Sequence, residues 1–160
     1  MEKLGDMPTQ APGLADASVG ETLAPIASEL RFPAQVDAGL RAQGLDPEDA
    51  APGDVVLGLM RLTGYTVTAG SKDGTSIATR GGQRVYVRTV DHAPSDHPEL
   101  DESIVRSFVV EFVESGCDRG LLVTEKFCPF EVYERERREP RVRFITRERF
   151  QHFVDALALG

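Results

Sequence analysis

DVVLGLMRLTGYTVTAGSKDGTSIATRGGQRVYVRTV, residues 54–90, is the stretch from which the fold is read. Its first ten residues put Val56, Leu59, Met60 and Thr63 on one face at helical spacing. Gly64 followed by Tyr65 then supplies a left-handed stop with an apolar residue behind it. This is the pattern of a helix docked on a sheet. Next come TVTAG, TSIAT and RVYVRTV, separated by Lys72-Asp73-Gly74 and by Arg80-Gly81-Gly82-Gln83. Each glycine-bearing gap reads as a turn, and the second is a hairpin signal.

Working outward toward the carboxy terminus, residues 91–102 (DHAPSDHPELDE) form an acidic, proline-containing loop without periodicity. Asp101 or Glu102 starts a long helix in which Ile104, Val105, Phe108, Val109, Phe112 and Val113 leave a narrow polar stripe. Deep burial is the expectation, and Ser115-Gly116 ends the helix. GLLVTE (120–125) is a short apolar strand bounded by charge, the pattern of an interior parallel strand. Residues 129–139 predict a charged helix stopped by Pro140, and RVRFI (141–145) a further strand. Thr146 is placed to cap a final amphipathic helix through Phe150, Phe153, Val154 and Leu157. The order from Asp54 is α-β-β-β-α-β-α-β-α, which predicts an α/β fold with a mixed sheet flanked by helices.

Toward the amino terminus, residues 1–20 are rich in Gly, Pro, Ala, Ser and Asp and read as a disordered or loosely attached arm. Residues 21–50 read as a helical lead-in, with Leu23, Ile26 and Leu30, an interruption at Phe32-Pro33, a short helix over 34–43 and a turn at Asp46-Pro47. It is expected to pack on the main domain, residues 51–160, or on a second subunit.

Composition narrows the setting. The 160-residue chain carries a net charge of −8, and lysine supplies only Lys3, Lys72 and Lys126 of its 18 basic residues. Abundant carboxylates with so little lysine suit a high-salt cytoplasm, where self-repulsion is screened. No apolar run approaches the roughly 18 residues of a membrane span, and a cytoplasmic location is the expectation. Cys117 and Cys128 are too few for a disulfide framework or zinc site and read as small buried apolar residues.

GYTV after the first helix, the KDGTS turn, GGQRVYVRTV, the apolar helix, GLLVTE and VRFI occur in the order and spacing of a known family. From residue 54 to the end the chain resembles the restriction-endonuclease-like fold, and within it the Mrr-type restriction endonucleases. The resemblance implies phosphodiester cleavage. That chemistry uses a carboxylate on the middle strand of the meander, a Glu/Gln-x-Lys set on the next strand, and often an acid on the first helix. Carboxylates there hold Mg²⁺, which polarises the phosphate and activates water.

Carried onto this chain, the middle-strand acid falls at Ser76 or Ile77, the Gln-x-Lys set at Arg88-Thr89-Val90, and the helix acid at Asp54. Serine does not replace an ionised ligand and valine does not stabilise charge. The resemblance therefore implies an inactive domain that keeps a binding role and needs no cofactor. A second reading builds a displaced Mg²⁺ site from Asp54, Asp73 and Asp91, although Asp73 suits its Lys-Asp-Gly turn for local reasons. A third is a module that binds only protein.

Binding candidates are arginines. Seven of them (135, 137, 138, 141, 143, 147 and 149) stand against four glutamates between residues 133 and 149. The ERERRE run alone reads as ion pairs solvating a helix. Arg141 and Arg143 share a strand face, and Arg80, Arg84 and Arg88 form a second patch suited to phosphate of DNA or RNA. The lead-in offers apolar surface for a homodimer or a partner protein. Asp91-His92 and Asp96-His97 have metal-ligating chemistry but read as an acidic surface loop, and His152 as a solvent-facing or packing residue.

Overall fold

In the computed structural model, residues 26–90 and 98–159 are described. The proposed arm over 1–20, the first residues of the lead-in, and Asp91, His92, Asp96 and His97 lie outside them. The elements are α1 (Ala34–Ala42), α2 (Pro52–Leu62), β1 (Thr66–Ala69), β2 (Thr75–Arg80), β3 (Gln83–Val90) and α3 (Glu102–Ser115). They continue with β4 (Arg119–Thr124), α4 (Phe130–Arg138), β5 (Val142–Ile145) and α5 (Phe150–Leu159). From α2 onward this is the order expected from the sequence. The five strands lie side by side in chain order. β1, β2 and β3 form an antiparallel meander, while β4 and β5 continue parallel to β3.

The turns follow from their glycines. Gly81 and Gly82 both have positive φ (58° and 81°), the geometry of a tight two-residue hairpin joining Arg80 to Gln83. Gly64 stops α2 at φ 101° and Gly116 stops α3 at φ 70°.

The sheet separates two apolar layers. On one face Val85 and Val87 of β3, Leu121 and Val123 of β4 and Ile145 of β5 meet Val55, Val56, Leu59 and Met60 of α2 and Phe150 and Val154 of α5. On the other, Tyr86, Leu122, Val142 and Phe144 meet Val105, Phe108 and Phe112 of α3 and Val132 of α4. The lead-in packs in cis, since Val36 and Leu40 of α1 belong to the first layer. Helices α1 and α2 approach where Gly58 lies under Leu40 and Leu45.

Three local expectations are corrected. Helix α3 is buried on one side only: Val110 and Val113 are 56% and 59% exposed, because α3 covers one sheet face and nothing described covers α3. Thr146 does not cap α5. It precedes a 3₁₀ turn (Arg147–Arg149), and its buried hydroxyl pairs with the Tyr133 hydroxyl at 2.6 Å. The ERERRE run is not all solvated, since Glu136 is 7% exposed.

Glu136 closes one sheet edge. Its carboxylate accepts the outward Phe144 N–H at 2.9 Å, and Arg149 bonds to it at 2.7 Å while donating to the Phe144 carbonyl at 3.2 Å. The ion pair thus supplies β5 with the acceptor and donor that a sixth strand would provide. The Arg149 guanidinium also lies 3.9 Å from the Tyr133 ring centre.

Two substitutions test this packing. Glu136→Ala leaves the Phe144 N–H and Arg149 without their partner and is expected to cost about 1.5–3 kcal/mol in urea unfolding. At Gly53 an added Cβ would press into the Thr89 methyl, so Gly53→Ala is expected to destabilise by about 1–3 kcal/mol despite alanine's better helix propensity. A gain in stability would show that the contact yields freely.

Candidate functional site

A parallel sheet carries chemistry most often beyond the carboxyl ends of its strands, which here is the β1–β2 turn end of the meander. Alternation along β3 decides what reaches that place. Val85, Val87 and Thr89 point toward α2, and Tyr86, Arg88 and Val90 toward α3. Ser76 of β2 pairs with Val87 and shares its face. A pocket of about 280 Å³ opens where α2 begins, lined by Ala51, Gly53, Asp54, Leu57, Gly74, Thr75, Ser76 and Thr89.

The sequence-derived positions therefore divide. Asp54 and Ser76 come together, and the β3 residue that joins them is Thr89. Arg88 and Val90 are turned to the opposite face, which they share with Ile77, the other position inferred for the middle-strand acid. Asp73 lies in the turn just before Gly74, and Asp91 lies outside the described residues. Among the described residues no three His, Cys, Asp or Glu side chains group to hold a metal ion. The Thr75 hydroxyl, though it lines the pocket, is spent on the turn, donating to the Lys72 carbonyl at 2.5 Å.

Arg88 is committed elsewhere. Glu111 of α3, with an 11% exposed side chain, pairs with Arg88 at 2.9 Å and lies 3.7 Å from Lys72 Nζ. It also accepts from the Tyr86 hydroxyl at 2.8 Å and the Ser107 hydroxyl at 3.1 Å. Burial pushes the Glu111 carboxyl up, but Tyr86, Arg88, Ser107 and Lys72 outweigh it and hold the group below the usual carboxylate range. Burial, and then the adjacent Glu111, pushes the Tyr86 phenol up to about 12. This cluster pins α3 to β3 and commits Arg88 to Glu111, with its side chain 24% exposed. Spacing on the sequence gave no sign of it, since Glu111 reads as one more residue of the narrow polar stripe.

The remaining arginines gather at the other end of the sheet. Arg80 and Gln83 flank the β2–β3 hairpin, Arg119 opposite Val85 begins β4, and Arg141 and Arg143 stand at the start of β5. Arg80 stacks 4.4 Å from the Tyr65 ring centre and donates to the Thr63 carbonyl at 2.7 Å, closing the last turn of α2. Arg84 faces away from α2, its backbone N–H bonded to Asp118 at 2.9 Å. Arg141 is held by Glu139 at 2.8 Å and lies over Phe112, whereas the Arg143 side chain is 69% exposed. Arg119, which the sequence reading passed over, lines a groove of about 300 Å³ with Arg141 and Arg143. Only the strand register brings it there. His152 is exposed on α5 beside a larger groove, about 780 Å³, that includes Glu136, Arg143 and Phe153.

Both cysteines are free and buried, as expected from the sequence. Burial and then Glu148 push the Cys128 thiol up to about 12, and burial does the same to the Tyr133 phenol. The fold thus favours the protonated forms of Cys128, Tyr86 and Tyr133. Their contribution to stability is complete below about pH 9, the ordinary thiol value, and is lost as pH rises through about 12. Urea unfolding between pH 8 and 11.5 should show a progressive loss of stability, and Cys128→Ala should delay its onset by about one pH unit.

No family model matches this chain, and no curated protein does. Among solved structures it is similar to the crystal structure of a protein of unknown function, AF1548, at 14% identity and a TM-score of 0.45. The match covers 59% of this chain and 55% of that one, so the chain spans little more than half of that protein's length.

Proposed function

We propose that this chain is a nuclease-fold domain without hydrolytic chemistry that binds nucleic acid. One observation supports the loss of chemistry: among the described residues the pocket at the head of α2 is lined by a single carboxylate, Asp54, beside Ser76, Thr89, Gly74 and Thr75. Mg²⁺ takes octahedral oxygen ligation through one or two carboxylates and substrate phosphate, and it works on phosphodiesters beside a group that steadies developing charge. In the register of β3, the positions facing Ser76 and Asp54 are Val87 and Thr89, which supply neither a second carboxylate nor a cation. These residues do not fit the metal centre that the restriction-endonuclease resemblance implies.

The binding half of the reading rests on charge. Asp54 lines the pocket and Asp73 stands in the turn beside Gly74, while Lys72 and Arg88 are turned onto Glu111. The described lining of that pocket offers phosphate no cation. Arg80, Arg84, Arg119, Arg141 and Arg143 lie at the hairpin end, the local positive excess of an acidic chain.

Two measurements test the proposal. Titration with Mg²⁺ or Mn²⁺ should give no heat of binding and supercoiled plasmid should stay intact. Nicking that disappears in Asp54→Ala and Asp73→Ala would establish the displaced-ligand nuclease instead. Fluorescence anisotropy should show oligonucleotide binding that weakens steeply with salt, because phosphate contacts release counterions. No binding at the lowest salt that keeps the chain folded would leave protein interaction as its role.

A further inference from the structure

Resting on the reading above, we infer that the ligand is a single strand, and that it enters at the hairpin end of the sheet with an unpaired base in the groove between α2, β4 and α5. The groove has an apolar floor from Met60, Tyr65 and Phe153 and a polar rim from Gln83, Arg119 and Arg143. At about 300 Å³ it stands at the small end of ligand pockets, with room for one planar base and not for a stacked pair. Bases inside a duplex are not free to enter such a slot, whereas those of a single strand are, and stacking on aromatic faces is tolerant of sequence.

The two rim arginines are placed for the flanking phosphates. Arg119 Nη1 reaches only the Pro140 carbonyl, at 3.5 Å, and meets no carboxylate at ion-pair distance among the described residues. Arg143 Nη1 lies 3.7 Å from Glu136 Oε1, a loose pair to a carboxylate whose other oxygen takes the Phe144 N–H and Arg149, and its side chain stays 69% exposed. Neither guanidinium is held at hydrogen-bond distance by a carboxylate among the described residues, as Arg88 and Arg141 are. Arg80, held flat on Tyr65, extends the positive row from β5 to β2, about 14 Å at the usual strand spacing. Gln83 adds an amide able to donate and accept at a base edge.

The test is anisotropy titration of the full chain with a labelled oligo-dT, the same sequence in a duplex, and a poly-glutamate peptide as competitor. The strand should bind at least tenfold more tightly than the duplex, and the peptide should not displace it. Arg119→Ala and Arg143→Ala, both at exposed positions, should each weaken binding and flatten the salt slope by about 0.7. Gln83→Ala should weaken binding without changing that slope. Asp54→Ala, at the opposite end, should leave affinity unchanged or raise it slightly.

Equal affinity for duplex, displacement by poly-glutamate, or indifference to both arginine substitutions overturns the inference while leaving nucleic-acid binding itself intact. If the unaltered chain binds neither nucleic acid at low salt, the inference and the broader proposal fail together.

Discussion

Strand β3 is hydrogen-bonded on both sides, antiparallel to β2 and parallel to β4, and this double commitment fixes which of its residues face which layer. A shift of one residue would exchange the two faces, putting Arg88 among the α2 valines and Val87 against Glu111. Both errors are costly: a buried charge without a partner, and a carboxylate without its cation. The Arg88–Glu111 ion pair and the hydroxyls of Tyr86 and Ser107 therefore lock the phase of the central strand and, through it, the position of α3. The pocket at α2, the groove at β4 and the division of arginines between them all follow from that phase.

The same constraint explains why the α2 pocket and the strand arginines sit at opposite ends. Parallel strands β3, β4 and β5 begin together at the hairpin end, and their first residues include Arg84, Arg119 and Arg143. Helices α2, α3 and α4 end there too, so their negative dipole ends face that side, and the last turns of α2 and α4 carry Arg61 and Arg135, Arg137 and Arg138. Helix-terminal arginines are accounted for by the dipoles. Strand arginines are not, and two of these three, Arg119 and Arg143, line the groove.

Much of the fold was legible in the sequence because it was written in local signals. Paired glycines at 81 and 82, the stop at Gly64 and the apolar run GLLVTE each act within a few residues, and the element order followed from them. What escaped was set by contacts remote in sequence. The burial of Glu136 depends on β5 needing an edge partner, and the side preference of α3 on which neighbours cover it. At the candidate site the sequence found Asp54 and Ser76. It left the middle-strand acid open between Ser76 and Ile77, and the register of β2 on β3 puts the two on opposite faces, Ser76 beside Val87 and Ile77 beside Tyr86. Arg119 was missed since its neighbours in space, Arg141 and Arg143, are more than twenty residues away along the chain.

The ion pair that occupies the outer rim of β5 has a consequence for how copies of this chain could meet. Head-to-tail stacking of sheets, β5 of one molecule on β1 of the next, is blocked, because the groups a neighbour would need are already taken. Among the described residues the rim left open is β1, whose Thr66, Val67, Thr68 and Ala69 carry no charge or proline. Backbone pairing through the described rims would then join β1 to β1 about a two-fold axis, which closes on itself and does not propagate into a fibre.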